Sequence, residues 1–261
     1  MKRLALLITS FATFNVSAAG FTWIEAAQGA LLPGNDIKEL HYILTFGMIG
    51  VFILLAGLVY RSKLSSVVNI VIPDKGITFR NLVEAYGQFI FDQCKLVIGE
   101  KSAPKYFGFV ATIFLVILLS NLIGLIPGFL PPTEFLNTTI ALGIFSFIFY
   151  NVKGCKELGV INYLKHFAGP LWYMAILIFP IEILSNLIRP VSLALRLRGN
   201  MFGDHLVLTK FSELAPAIIP IIFMVLGILV SIIQAYVFTV LSMVYISLAV
   251  SHHDHDEHAA H

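Results

Sequence analysis

The chain has 261 residues, of which 58% are hydrophobic and only 12% charged, and its mean hydropathy is +0.88. A soluble domain is roughly one quarter charged, so this chain has about half the charge needed to coat a water-facing surface, and it reads as an integral membrane protein. A formal net charge of +2 excludes an electrostatic nucleic-acid partner, and two distant cysteines, Cys94 and Cys155, exclude a disulfide framework.

Residues 1–19 have the layout of a signal peptide. Lys2 and Arg3 precede the apolar run Leu4–Phe14, and Val16-Ser17-Ala18 or Ser17-Ala18-Ala19 offers a small-residue cleavage site. The run is too short to cross a bilayer core of about 30 Å. Cleavage would leave the mature N-terminus outside the cytoplasm; an uncleaved amphipathic start is the other reading. Residues 20–40 then form an outer-side N-terminal segment.

Residues 41–152 hold three spanning segments, roughly His41–Tyr60, Tyr106–Phe129 and Phe135–Val152. Between the first two, residues 79–97 differ in kind. Phe79, Leu82, Val83, Tyr86, Phe89, Ile90, Cys94 and Val97 recur at helical spacing, with Arg80, Glu84, Gln88, Asp92 and Lys95 on the other side. This pattern predicts an amphipathic helix along the cytoplasmic interface, or one packed on a soluble partner or cytoplasmic subdomain.

Residues 170–250 carry two longer segments, Pro170–Glu213 and Pro216–Val250. The second would be about 50 Å long as one helix, against an apolar slab of about 30 Å. It is apolar nearly throughout, so a pair of long, strongly tilted helices is expected, turning near Ala215-Pro216, with Pro180 and Pro190 as kink points. Residues 251–261, including His252, His253, Asp254, His255, Asp256, Glu257 and His258, read as a solvated, disordered tail, with divalent-metal binding the alternative. No metal or cofactor is assigned. The predicted fold is thus an all-α polytopic membrane protein with five membrane-embedded helices and one interfacial helix.

Basic residues orient it. Arg61, Lys63, Lys75, Arg80, Lys95, Lys101 and Lys105 lie between the first and second spans, and Lys153, Lys156 and Lys165 follow the third. The turn Leu130–Glu134 has no basic residue, and residues 20–40 have only Lys38 against Glu25, Asp36 and Glu39. Basic loops stay cytoplasmic, which puts the N-terminus outside and the C-terminus inside.

Four charges sit within the fourth segment: Glu182, Arg189, Arg196 and Arg198. Each costs about 2.5–3.5 kcal/mol at helix centre on insertion scales. Snorkelling to the interface accounts for Arg189 as readily as a buried role does; Arg196 lies deepest. Glu182, Arg189 and Arg196 are seven residues apart, so each step rotates only about 20°. They form one polar stripe, widened by Ser185, Ser192 and Asn200, while Arg198 and His205 point away from it. Such a helix suits a wall between two aqueous spaces. Gln234 lies as far after Ala215 as Arg196 lies before it, so a hairpin turning there brings both to one depth. Gln234 could then orient the guanidinium, or it could make an ordinary interhelical contact worth about 1 kcal/mol. A fixed guanidinium draws in a carboxylate, favours its deprotonated form and repels a leaking cation.

The run Gly169-Pro170, Pro180-Ile-Glu182-Ile, Arg189-Pro190-Val-Ser192-Leu-Ala-Leu-Arg196-Leu-Arg-Gly199-Asn200-Met201-Phe-Gly-Asp-His205, followed by Gln234-Ala-Tyr-Val-Phe238, closely resembles the subunit a family of the F-type ATP synthase membrane sector. Ser120-Asn121-Leu with Ile126-Pro127 looks like that family's second span. The resemblance covers most of the chain from about Leu40 onward. It implies a non-catalytic stator subunit beside a rotating ring of c subunits, with peripheral-stalk b subunits and the rest of the complex as further partners, in a bacterial inner membrane. It implies that Arg196 is the arginine meeting the ring carboxylate, with Gln234 its partner and Asn200 one turn beyond. Glu182 is implied in the cytoplasmic half-channel, and Asn121 and His205 in the outer one. The position of Gly227 is titratable in some relatives, so His205 is expected to lack that partner here. Arg198 departs from the family pattern, with Asp204 or a lipid phosphate to neutralise it. A self-contained secondary transporter using Glu182, Arg196 and His205 is the alternative function, but the chain shows no internal repeat of the kind such folds carry. A membrane enzyme would need acids or metal ligands clustered at one depth. No phosphate-binding loop of the G-x-x-x-x-G-K-[ST] type is present.

Overall fold

The computed structural model describes residues 41–65, 76, 78–126, 129–159, 163, 175–214 and 219–250. The readings of a signal peptide, of the outer segment 20–40, of the turn at Ala215-Pro216 and of the His-rich tail lie outside the described residues.

All regular structure among the described residues is helical. Helix α1 spans His41–Ser65, α2 Phe79–Ile98, α3 Ala103–Leu122, α4 Leu136–Leu158, α5 Ala175–Leu214 and α6 Ile219–Val250. Five of them, all but α2, are long and apolar enough to cross a membrane. The chain is a multi-pass, all-α membrane protein. Helix α5 has 40 residues and α6 has 32, or about 60 and 48 Å at 1.5 Å per residue. Pro180 and Pro190 both lie inside α5.

Helix α3 ends where a proline approaches. It tightens into a short 3-10 turn, Ile123–Leu125, and Ile126 is extended at φ −82°, ψ 120°, the conformation forced on a residue preceding proline. Pro131, itself before Pro132, is extended for the same reason, and a second 3-10 turn, Pro132–Glu134, leads to α4.

Helix α2 starts at Thr78, whose Oγ1 accepts the Asn81 N–H at 3.4 Å, and stops at Gly99, where φ is +98°. Ile90 and Cys94 are buried, whereas Phe79, Leu82, Phe89 and Leu96 stay exposed. The Tyr86 hydroxyl donates to the Ala111 carbonyl at 2.5 Å, Phe91 meets Phe107 edge-on at 5.6 Å, and Cys94 Sγ lies 3.7 Å from Met243 Sδ. Burial raises the Tyr86 phenol above its ordinary range and pushes the Cys94 thiol up to about 11. Arg80, expected on the solvated side, is buried instead, with Nε 2.7 Å from Glu84 Oε1. A buried guanidinium persists only when paired, and the next turn of the same helix supplies the carboxylate.

The chain divides into two compact units, and every helix except α2 contributes to both. One contains the described residues of 41–55, 115–139 and 196–236. In it, Tyr42 stacks on Phe135 at 4.9 Å, Asn137 Nδ2 donates to the Tyr42 hydroxyl at 3.3 Å, and Phe211 packs on Phe223 at 5.1 Å. The other contains the described residues of 56–114, 140–195 and 237–250. Its core joins Tyr106, Tyr150, Tyr163, Ile246 and Ala249, with Phe109 stacked on Phe149 at 3.7 Å beside it. Tyr106 donates to Glu157 at 2.7 Å, and Lys105 Nζ lies 3.3 Å from the same oxygen.

Candidate functional site

The first unit gathers polar side chains around a small cavity. Asn121, on α3, is buried; its Oδ1 accepts from Thr133 at 2.8 Å and its Nδ2 donates to the Ser231 carbonyl at 3.4 Å. The asparagine thus ties α3 to the turn before α4 and to α6. From α5, His205 Nδ1 lies 3.2 Å from Glu134 Oε2, and one carboxylate oxygen of Asp204 is buried without a hydrogen-bond partner. Asn121, Asp204, His205, Gly227 and Ser231 are among the residues lining a cavity of about 30 Å³, against the roughly 10–15 Å³ that one water requires. Gly227 is a matter of space here: a Cβ at that position would come 2.8 Å from Leu125 Cδ2. The cavity is large enough to hold water.

Arg196 and Asn200 lie exposed on α5, with Ser192, Leu195 and Gly199 exposed beside them. Among the described residues no carboxylate pairs with Arg196. Gln234 is buried on α6, and its Oε1 accepts from Asn200 Nδ2 at 2.6 Å. The structure therefore joins Gln234 to Asn200, one turn from Arg196, and leaves the guanidinium uncommitted. Gln234 Nε2 is buried without an acceptor. Arg198 donates from Nε to the Glu134 main-chain carbonyl at 3.3 Å, and among the described residues it forms no ion pair with Asp204.

In the second unit, Glu182 Oε1 and Arg189 Nη2 are 3.7 Å apart, and the Arg189 guanidinium lies 5.2 Å from the Tyr245 ring centroid. Near them, Tyr150, Asn151, Tyr163 and Asn186 form a hydrogen-bonded group. Burial raises the Tyr163 phenol to about 12. Among the described residues no three His, Cys, Asp or Glu side chains are placed to hold a metal ion.

Glu134 was not singled out by sequence reasoning. An acid just before a helix reads as an ordinary favourable charge at the helix N-terminus, and only folding shows that its side chain turns to His205. His205 does lack a titratable partner at Gly227, as expected, but it finds a carboxylate from the turn before α4.

Residues 42–247 match the family described as ATP synthase A chain. ATP synthase subunit a of Bdellovibrio bacteriovorus is 41% identical over 235 residues, 90% of this chain and 99% of the relative. That of Geobacter sulfurreducens is 49% identical over 167 residues, covering 64% of this chain and 72% of the relative. That of Campylobacter concisus is 38% identical over 224 residues, covering 85% and 95%. A family match across most of the sequence and a relative covered almost end to end agree: the chain belongs to the ATP synthase A chain family.

Proposed function

We propose that this chain is the non-catalytic, ion-translocating stator subunit of an F-type ATP synthase, set in a bacterial inner membrane with its N-terminus outside. Its relatives carry the name ATP synthase subunit a, which supports membership of that complex. A ring of c subunits faces Arg196, and peripheral-stalk b subunits hold the chain against rotation.

The observation that carries this reading is the state of Arg196. It is an exposed guanidinium within a membrane-length helix, with no carboxylate among the described residues to pair with it. Lipid does not satisfy such a charge, so a carboxylate on a neighbouring protein is its natural partner. Asn200 and Gln234 brace the neighbouring turn. The lengths of α5 and α6 exceed a bilayer core and support a steep tilt across the ring surface.

Ions enter from the outer side past Asn121, Glu134, Asp204 and His205, load a ring carboxylate, and leave after rotation by the path near Glu182. Arg196 keeps the two paths apart electrostatically. Each elementary charge crossing down the potential supplies about 2.3 kcal/mol per 100 mV.

The deciding variant is Arg196→Ala, examined in inverted membrane vesicles containing the whole complex. Assembly is expected to be near normal and ATP-driven acidification abolished. Acidification at the wild-type rate would refute the role given to Arg196.

A further inference from the structure

The Pro190 ring removes the N–H that would bond the carbonyl of Asn186, four residues earlier in α5. Inside a membrane no bulk water replaces that donor, so a neighbouring element must. Helix α4 delivers one. The Tyr150 hydroxyl donates to Asn186 Oδ1 at 2.7 Å and lies 3.5 Å from the Asn186 main-chain oxygen. Both residues are buried.

The bonds continue. Asn186 Nδ2 donates to Asn151 Oδ1 at 3.1 Å, the same oxygen accepts from the Tyr163 hydroxyl at 2.8 Å, and Asn151 Nδ2 donates to the Phe147 carbonyl at 2.8 Å. None of these side-chain atoms is left unsatisfied, so the group is a closed lock rather than a wet channel. Two turns before Tyr150, Gly143 meets the other side of the break. A Cβ there would come 2.6 Å from the Pro190 carbonyl oxygen and 3.5 Å from Ala194 Cβ. Helix α4 thus grips α5 both before and after the proline. Glu182 and Arg189, paired at 3.7 Å, sit on the stretch so gripped.

We propose that Tyr150 is a positioning residue: its hydroxyl, with Asn186, fixes the Pro190 break at one angle and so holds Glu182 and Arg189 in their mutual register. The functional consequence rests on the stator reading above; the interaction itself does not.

The test is a double-mutant cycle in the intact complex, combining Tyr150→Phe with Pro190→Ala. The alanine has its own N–H and returns a helical donor to the Asn186 carbonyl. Two quantities are read for each variant: the temperature at which the purified complex dissociates, and the ratio of ATP-driven acidification to ATP hydrolysis in inverted vesicles. With Pro190 present, Tyr150→Phe is expected to lower the dissociation temperature and cut the coupling ratio by about two- to tenfold, the range for one lost hydrogen bond. With alanine at 190, the same change is expected to lower the dissociation temperature by less, since the carbonyl then has a helical donor and only the bond to Asn186 Oδ1 is lost. An equal temperature shift in both backgrounds, or an unchanged coupling ratio in Tyr150→Phe alone, overturns the proposal. Failure of the stator reading would appear separately, as acidification surviving Arg196→Ala.

Discussion

At His205 the imidazole faces a carboxylate 3.2 Å away, and on the proposed outer path a proton would be handed between the two groups. Glu134→Gln preserves the shape and removes the charge. It is expected to slow ATP-driven acidification in inverted vesicles by about tenfold or more, a modest loss for a positioned acid–base group. His205→Ala is expected to match it, and the double variant to be no slower than the worse single one, since groups acting as one unit are not additive. Rates that multiply would mean two separate routes. Of the six residues proposed from sequence, Glu182, Arg196, Asn200, His205 and Gln234 drew notice because charged and amide side chains in apolar helices are costly and therefore conspicuous, whereas Asn121 was proposed through the family resemblance. Glu134 drew no notice, because an acid near a helix start costs nothing to keep. The Asn200–Gln234 bond was also hidden: helical depth brings Gln234 to the level of Arg196, but side-chain reach within one turn decides which residue it meets.

Among the elements, the spans followed from apolar run length, and their ends moved by up to seven residues where capping and proline geometry took over. The third span runs to Leu158 rather than Val152, since Lys153 and Lys156 are tolerated in the last turns of α4. Periodicity found α2 but misplaced Arg80, because a pattern of polar spacing does not reveal that Glu84 will neutralise a charge turned inward. The seating of α2 on α3 and α6 can be checked at Cys94. Its thiol is fully buried and held near 11, above the ordinary value of 9.0. The reactive species is the thiolate, so two units of displacement leave about a hundredfold less of it at neutral pH. In a Cys155→Ser background, maleimide labelling of Cys94 at pH 7 is expected to be at least that much slower than after denaturation, and to rise with pH toward 11. Rapid labelling of the native protein at pH 7 would mean that α2 is not packed as described.

For the molecule as a whole, composition alone excluded a soluble protein, since 12% charged residues cannot cover a domain of this size. What composition cannot supply is the identity of the neighbours. Exposed apolar side chains are abundant along α5 and α6, among them Leu184, Val191, Leu195, Ile228 and Ile233, and lipid or protein could cover any of them. The guanidinium breaks that symmetry. Purification through this chain in a mild detergent is expected to bring down an oligomeric ring of small subunits; recovery of a chain free of any ring, with its fold intact, would count against the stator assignment.

The uncovered Arg196 also bears on how such a chain is made. If its partner is a ring carboxylate, as proposed, a newly inserted subunit presents a bare cation to lipid until assembly, a defect of about 2.5–3.5 kcal/mol set against the 5–15 kcal/mol that typically separates a folded domain from its unfolded states. On the stator reading, an orphan copy is therefore expected to be the less durable form.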